Sequence, residues 1–155
     1  MRREDVPDDL RDLTFDFFYW FSRFEFAMKE NGFLRNAFVG ARAEVGWNKL
    51  IDQLKDNYST TLEAQRLIDL NPKRQIVGLN GLEFHEIGFS DQASDVEKIT
   101  LLVRTVRNNL FHGGKHGEED WDDVGRMREL LKVVINVLDE LAEHAGFEAD
   151  YRRYY

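Results

Sequence analysis

The chain contains no cysteine and only 2 prolines among its 155 residues. The absence of cysteine excludes disulfide bonds, thiol catalysis and cysteine-ligated zinc, and it is typical of proteins in a reducing compartment. Because proline interrupts helices, its scarcity favours helical structure, as does the abundance of Leu, Glu, Lys, Arg and Ala. At this length we expect a single helical domain that spans residues 1–155.

The chain also lacks an excess of positive charge. Its 29 acidic residues outnumber its 21 lysines and arginines, which gives a formal net charge of −8. This balance excludes broad, nonspecific nucleic-acid binding, which depends on many basic contacts to phosphates. Any such contact must come from a local basic patch, and an acidic surface elsewhere would suit a basic protein partner. The best candidate patch in the sequence consists of Arg104, Arg107, His112, Lys115 and His116.

No long hydrophobic run is present. The aromatic run from Phe15 to Phe26 is interrupted by Asp16, Arg23 and Glu25, so it does not predict a membrane span. The first five residues are mostly charged and lack the apolar segment of a signal peptide. We therefore expect a cytoplasmic protein with no membrane partner.

Apolar residues at helical spacing, with capping residues before them, predict the secondary structure. Helices are expected over residues 8–31 and 47–55, from a cap at Thr60 or Thr61 to about residue 70, from the capping box of Ser94 and Glu97 to about residue 112, and from residue 120 to Gly146. The first helix carries aromatic residues on more than one face, which favours an interface over burial on several sides. The pattern predicts an all-α, up-and-down bundle of about four to five helices with short connections.

The insertion around residues 72–89 is irregular or hairpin-like. An Asn80-Gly81 turn separates Ile76-Val77 from Leu82-Glu83-Phe84. That pattern fits either a hairpin or a packed loop. Of the two we expect the packed loop.

The residues that carry the most chemistry run from Arg107 to His112 and are followed by Gly113-Gly114. Arginine can clamp a phosphate with a planar fork of donors, and histidine exchanges protons near neutral pH. The simpler, structural interpretation is that both residues cap the end of a helix, and on spacing alone this role is commoner than a catalytic one. Glycines after His112 would let a substrate backbone approach closely.

The pattern Arg107-Asn108-x-x-x-His112 resembles the signature of the HEPN superfamily, which is arginine, a polar residue, three variable residues and histidine. Its helical pattern, with the motif just before the last long helix, is similar to that superfamily too. The resemblance covers the architecture of most of the chain but identifiable residues only around positions 104–116.

The resemblance implies a metal-independent endoribonuclease that works as a homodimer without a cofactor, often in a toxin–antitoxin or phage-defence system. His112 would be the general acid or base, Arg107 would stabilise charge on the phosphoryl oxygens, and Asn108 would orient the pair or bind phosphate. Arg104, Lys115 and His116 are added as phosphate-binding residues because of their proximity, not because the family has them there. The alternative is a noncatalytic HEPN-like module that binds nucleotide, RNA or a protein.

Three further observations bear on these expectations. Some HEPN toxins carry a tyrosine two residues after the motif histidine, where the antitoxin attaches nucleotides, whereas this chain has Gly114, which argues against that mode of control. His112 and His116 have the spacing of a helical metal pair, but the glycines between them break the helix, so we expect no metal site. Glu25 could reach Arg107, although an exposed carboxylate is the simpler expectation.

Overall fold

The computed structural model describes residue 4, residues 6–112 and residues 123–153, and for His112 it describes only the backbone. This part of the chain is mainly helical and contains one small antiparallel sheet, so the expectation of an all-α fold is only partly correct. The helices and strands are α1 (Asp8–Glu30), α2 (Trp47–Leu54), α3 (Leu62–Leu70), β1 (Arg74–Gly78), β2 (Gly81–His85), α4 (Asp95–His112), α5 (Val124–His144) and α6 (Glu148–Arg152).

The core lies where the two long helices α1 and α5 pack together, with α3, α4 and α6 around them. The apolar stripe predicted for α4 is buried against this core, as are the apolar residues at helical spacing in α1. The fully or almost fully buried residues of these two stripes are Leu10, Phe17, Phe21, Phe24, Met28, Ile99, Leu102, Val103 and Val106. One side of α4 is therefore fixed by the core, which leaves its other side to face solvent.

A capping box starts α4, as its sequence predicts. The Ser94 hydroxyl and backbone N–H donate to the Glu97 carboxylate at 2.9 Å and 2.7 Å, and the Glu97 N–H donates back to the Ser94 hydroxyl at 3.4 Å. These donors lower the pKa of Glu97. The stability they supply is present at neutral pH and is lost as the pH falls through that lowered pKa.

Replacing Ser94 by alanine should therefore lower the free energy of unfolding by about 1 kcal/mol, a typical cost of losing a helix N-cap. Urea unfolding followed by circular dichroism measures the change. Ser90→Ala is the matched control, because the Ser90 hydroxyl accepts only a long 3.3 Å bond in the preceding turn. A Ser94→Ala variant as stable as the wild type would contradict the cap.

The insertion between α3 and α4 is a hairpin, so the expected packed loop is wrong. Strand β1 pairs with β2 in the antiparallel sense, with Val77 opposite Leu82 and Gly78 opposite Gly81. The ladder satisfies backbone groups that a packed loop would have to bury or leave to side chains. The hairpin is held to α4 by Asn109, whose side-chain amide donates to the Lys73 carbonyl at 2.8 Å.

The segment between α1 and α2 folds back on itself and brings a basic residue to the start of α2. The Arg35 N–H donates to the Glu44 carbonyl at 2.8 Å, and the Gly46 N–H donates to the Phe33 carbonyl at 2.7 Å. A Cβ at residue 46 would lie 2.8 Å from the Leu34 carbonyl carbon, so only glycine fits there. This crossing places Arg35 beside Trp47.

Helix α1 divides its aromatic residues between core and solvent. Phe17, Phe21 and Phe24 are buried, whereas Phe15 is 69% exposed and Tyr19 is 44% exposed. The favoured interface interpretation therefore applies at most to the outer face of α1. In the described part of the chain, no helix is long and apolar enough to cross a membrane.

Candidate functional site

The solvent-facing side of α4 borders three adjoining pockets that all share Arg104. An outer pocket of about 390 Å³ lies between α4 and β1, where Arg74 contributes. A middle pocket of about 140 Å³ is closed by Phe21, Glu25 and Trp47. A second outer pocket of about 380 Å³ lies toward Arg35 and the start of α2.

Five basic side chains line these pockets, and we call them together the basic groove: Arg35, Lys49, Arg74, Arg104 and Arg107. Among the residues described, the only carboxylate that lines the same pockets is Glu25. Arg35 also pairs with nearby Glu44, at 3.3 Å. Positive charge is thus concentrated locally on a chain whose formal net charge is −8.

Arg107 is the most constrained of these residues. Its guanidinium lies 4.7 Å from the ring centre of Phe111 and 5.8 Å from that of Phe21, and its Nη1 donates to the Asn108 side-chain oxygen at 3.0 Å. Its Nε is buried and has no hydrogen-bond partner among the described residues. Leaving a buried donor unpaired costs about 1–3 kcal/mol, so this geometry favours the arrival of an acceptor.

Arg107 has no carboxylate partner within the described part of the chain. Glu25 borders the same middle pocket, yet no ion pair joins the two side chains. The described hydrogen bond of Arg107 goes to a neighbouring side chain and not to a helix carbonyl. The interpretation that Arg107 and His112 cap the helix or favour its dipole stays an expectation.

Arg104 and Asn108 each line more than one of the three pockets. Arg104 is exposed, and its guanidinium lies 5.6 Å from the ring centre of Trp47. Asn108, one turn later on the same side of α4, borders both the middle pocket and the pocket beside β1. A residue four positions further along would continue this row, and that residue is His112.

The backbone does not bring Arg107 and His112 onto one face of α4. At about 100° per residue, five residues of regular helix turn the two Cα positions about 140° apart around the helix axis. His112 is the last residue of α4, so the helix is continuous between them. Arg107 faces α1, and Phe21 and Glu25 of that helix line the middle pocket with it.

The remaining predicted site residues lie outside the described part of the chain. Lys115 and His116 fall within residues 113–122, as do the glycines expected to end α4. Their proposed phosphate-binding role stays a prediction. Within the described residues there is no group of three or more metal-ligating side chains close enough to hold an ion.

Sequence reasoning missed three of the five residues of the basic groove. Arg35, Lys49 and Arg74 come from a loop, a helix and a strand that are far apart along the chain. No local spacing links them to Arg104. Comparison with family models, with curated proteins and with solved structures finds no match to this chain.

Proposed function

We propose that this protein is a metal-independent endoribonuclease that uses Arg107 and His112 in a cleft shared by two copies of the chain. The observation that carries the proposal is Arg107 itself, a half-buried guanidinium with no described acidic partner, beside Arg104 at the middle pocket. Such a group is suited to bind a phosphate, which can supply the acceptors that the protein does not.

The proposed reaction is a transfer within the RNA backbone. The ribose 2′-oxygen attacks the adjacent phosphorus, and the bond from phosphorus to the 5′-oxygen of the next nucleotide breaks. His112 takes the proton from the 2′-hydroxyl or gives one to the leaving oxygen, and Arg107 stabilises the charge on the phosphoryl oxygens. The products are a 2′,3′-cyclic phosphate and a 5′-hydroxyl.

A second copy of the chain would complete the site. The resemblance implies a cleft that holds the motifs of two copies, and a symmetric pair of chains would bring two copies of Arg107 and His112 together. The exposed rings of Phe15, Tyr19 and Phe111 lie on α1 and at the end of α4, next to His112. An apolar surface beside the proposed site is a suitable place for the two copies to meet.

The biological setting is proposed from the resemblance alone. HEPN nucleases of this kind occur in toxin–antitoxin and phage-defence systems, where an antitoxin protein holds the nuclease inactive. We propose the same arrangement here, with inhibition by binding because Gly114 replaces the tyrosine that other members modify.

The alternative is a noncatalytic HEPN-like module that binds RNA or a nucleotide, or a protein partner. The basic groove favours it, because its described residues form a cationic binding surface that does not include the proposed catalytic histidine. Binding without cleavage would support this alternative.

Analysis of the cleavage products separates the two functions. Purified protein incubated with RNA in excess EDTA should yield fragments with 2′,3′-cyclic phosphate and 5′-hydroxyl ends, detected by mass spectrometry. Substituting 2′-deoxyribose at the cleaved position should stop the reaction there, because the attacking hydroxyl is absent. Cleavage that requires a divalent metal, or that continues at the deoxy position, would contradict the mechanism.

A further inference from the structure

The sizes of the three pockets along α4 suit two consecutive nucleotides and the phosphate that joins them. The outer two, at about 390 and 380 Å³, fall in the range of pockets that hold small organic ligands. The middle one, at about 140 Å³, is too small for a nucleoside, and Arg104 and Arg107 both line it. The two wider pockets thus adjoin a small one, which we call the waist and which carries two arginines and one carboxylate, Glu25.

We propose that the basic groove binds single-stranded RNA across this waist, with one phosphate between Arg104 and Arg107 and the adjoining nucleotides in the two outer pockets. Arg74 would contact the strand on one side and Arg35 with Lys49 on the other. The choice of RNA as ligand rests on the proposed function. The binding residues Arg35, Lys49 and Arg74 do not take part in the proposed chemistry.

The shape of the groove favours a single strand over a duplex. Its basic residues line half-open pockets between α4, the hairpin and the start of α2, not a broad flat face. Proteins that bind single strands commonly use such a positively charged channel to follow the backbone. Asn108 and Asn109 border the pocket beside β1, where their amides offer donors and acceptors to a base or sugar.

The charges in the groove are available for phosphate. Within the described part of the chain, no carboxylate forms an ion pair with Lys49, Arg74 or Arg104, and Glu25 is the one described carboxylate that lines the same pockets. Arg35 shares its charge with Glu44, so its contribution should be smaller than that of Lys49. Each phosphate that a cation of the groove neutralises releases counterions, and this makes binding depend on salt.

The test uses a fluorescein-labelled oligoribonucleotide with 2′-O-methyl groups throughout, because that probe binds but cannot be cleaved. Fluorescence anisotropy gives its affinity over a range of salt concentrations. The double variant Lys49→Ala/Arg74→Ala should bind about tenfold more weakly at low salt, and its logarithmic salt slope should flatten by about 0.7 for each phosphate that is no longer neutralised. The same strand annealed to its complement should bind more weakly than the single strand.

The control is Lys132→Ala/Arg66→Ala, which removes the same two charges from a pocket lined by α3 and α5 residues, where Arg66 is paired with Glu63 and Glu129. Its affinity and salt slope should stay at the wild-type values. Equal losses of affinity in the two double variants, tighter binding of the duplex, or no binding by the wild type would overturn the inference.

Cleavage of unmodified RNA, measured in parallel, separates this inference from the proposed function. If the groove variant loses affinity but wild-type protein cleaves nothing, the groove stands and the catalytic proposal fails. If wild-type protein cleaves RNA while Lys49→Ala/Arg74→Ala binds the probe as tightly as Lys132→Ala/Arg66→Ala does, the catalytic proposal stands and the proposal that the groove binds RNA fails. All four altered residues are exposed, so folding should be preserved.

Discussion

Replacing Arg107 by alanine is expected to lower the rate of RNA cleavage by about 10²–10³-fold, the usual cost of removing one group that stabilises developing charge. His112→Ala should lower it by about 10²–10⁴-fold through loss of proton transfer. Arg107→Lys should fall between Arg107→Ala and wild type, because an ammonium keeps the charge but loses the planar fork. Initial rates on a labelled RNA, with melting temperatures recorded alongside, measure these effects.

Arg42→Ala is the control for Arg107→Ala, since Arg42 is an exposed loop arginine whose described ion pair, to Glu44, is long at 3.8 Å. Its cleavage rate should match that of the wild type. The melting temperature of Arg107→Ala should change little. The variant loses the packing of the arginine side chain, but it also removes a buried Nε that has no described hydrogen-bond partner. An Arg107→Ala protein that folds and cleaves at the wild-type rate would rule out the proposed role.

Mixing the two inactive variants tests whether the site is shared between copies. If Arg107 of one copy works with His112 of the other, a mixed dimer of Arg107→Ala and His112→Ala contains one intact site. Random pairing makes half of the dimers mixed, so up to about a quarter of the wild-type activity should return. No recovery in a confirmed mixed dimer would mean that each site is built within one chain.

The second large effect concerns stability. Phe24→Ala should lower the free energy of unfolding by about 3–5 kcal/mol, because it leaves a cavity in a close-packed core. Phe24 is fully buried, and its ring centre lies 5.7 Å from that of Trp47 and 5.2 Å from that of Phe147. It thereby joins α1 to α2 and to the segment before α6. Urea unfolding followed by tryptophan fluorescence and circular dichroism measures the loss.

Phe15→Ala makes the same substitution on the same helix at a side chain that is 69% exposed. Its effect on the free energy of unfolding of the single chain should stay within about 0.5 kcal/mol. A loss of stability for Phe15→Ala that grows with protein concentration would instead reveal a dimer held through that face. Equal losses of stability in the two variants at low concentration would contradict the buried position of Phe24.

The helices could be predicted from the sequence because local signals define them. Of the two candidate caps Thr60 and Thr61, Thr61 caps α3 by accepting a bond from the Ala64 N–H, and Ser94 with Glu97 starts α4 as expected. The hairpin could not be chosen over a loop, because its apolar residues are short runs and two of them, Val77 and Leu82, face solvent. A pattern that buries little apolar surface gives a weak signal.

The short helix α6 also gives too weak a sequence signal to be predicted. Tyr151 is fully buried although it lies in a tail too short to assign from sequence. The signal that could have found it is its spacing of four residues from Phe147, which places both rings on one side of α6 against Phe24. Two apolar residues are too few to establish a helix without knowledge of the surface that receives them.

The candidate site likewise contains residues that could be predicted from the sequence and residues that could not. Arg104, Arg107 and Asn108 could be found because they are near one another in sequence, and the fold brings them to the middle pocket. Arg35 and Arg74 reach the same groove only through the crossing before α2 and the hairpin. Tertiary structure, which local patterns do not encode, sets their positions.

Because α4 serves the core on one side and the groove on another, insertions and deletions within it should be poorly tolerated. Its 18 residues carry the core stripe on one side and the row of Arg104 and Asn108 on another. Inserting or deleting one residue between Ile99 and Arg104 would turn everything beyond it by about 100°. Side chains of the groove would then point into the core, and valines would point to solvent. The length of this helix should therefore tolerate change far less well than the identity of its exposed residues.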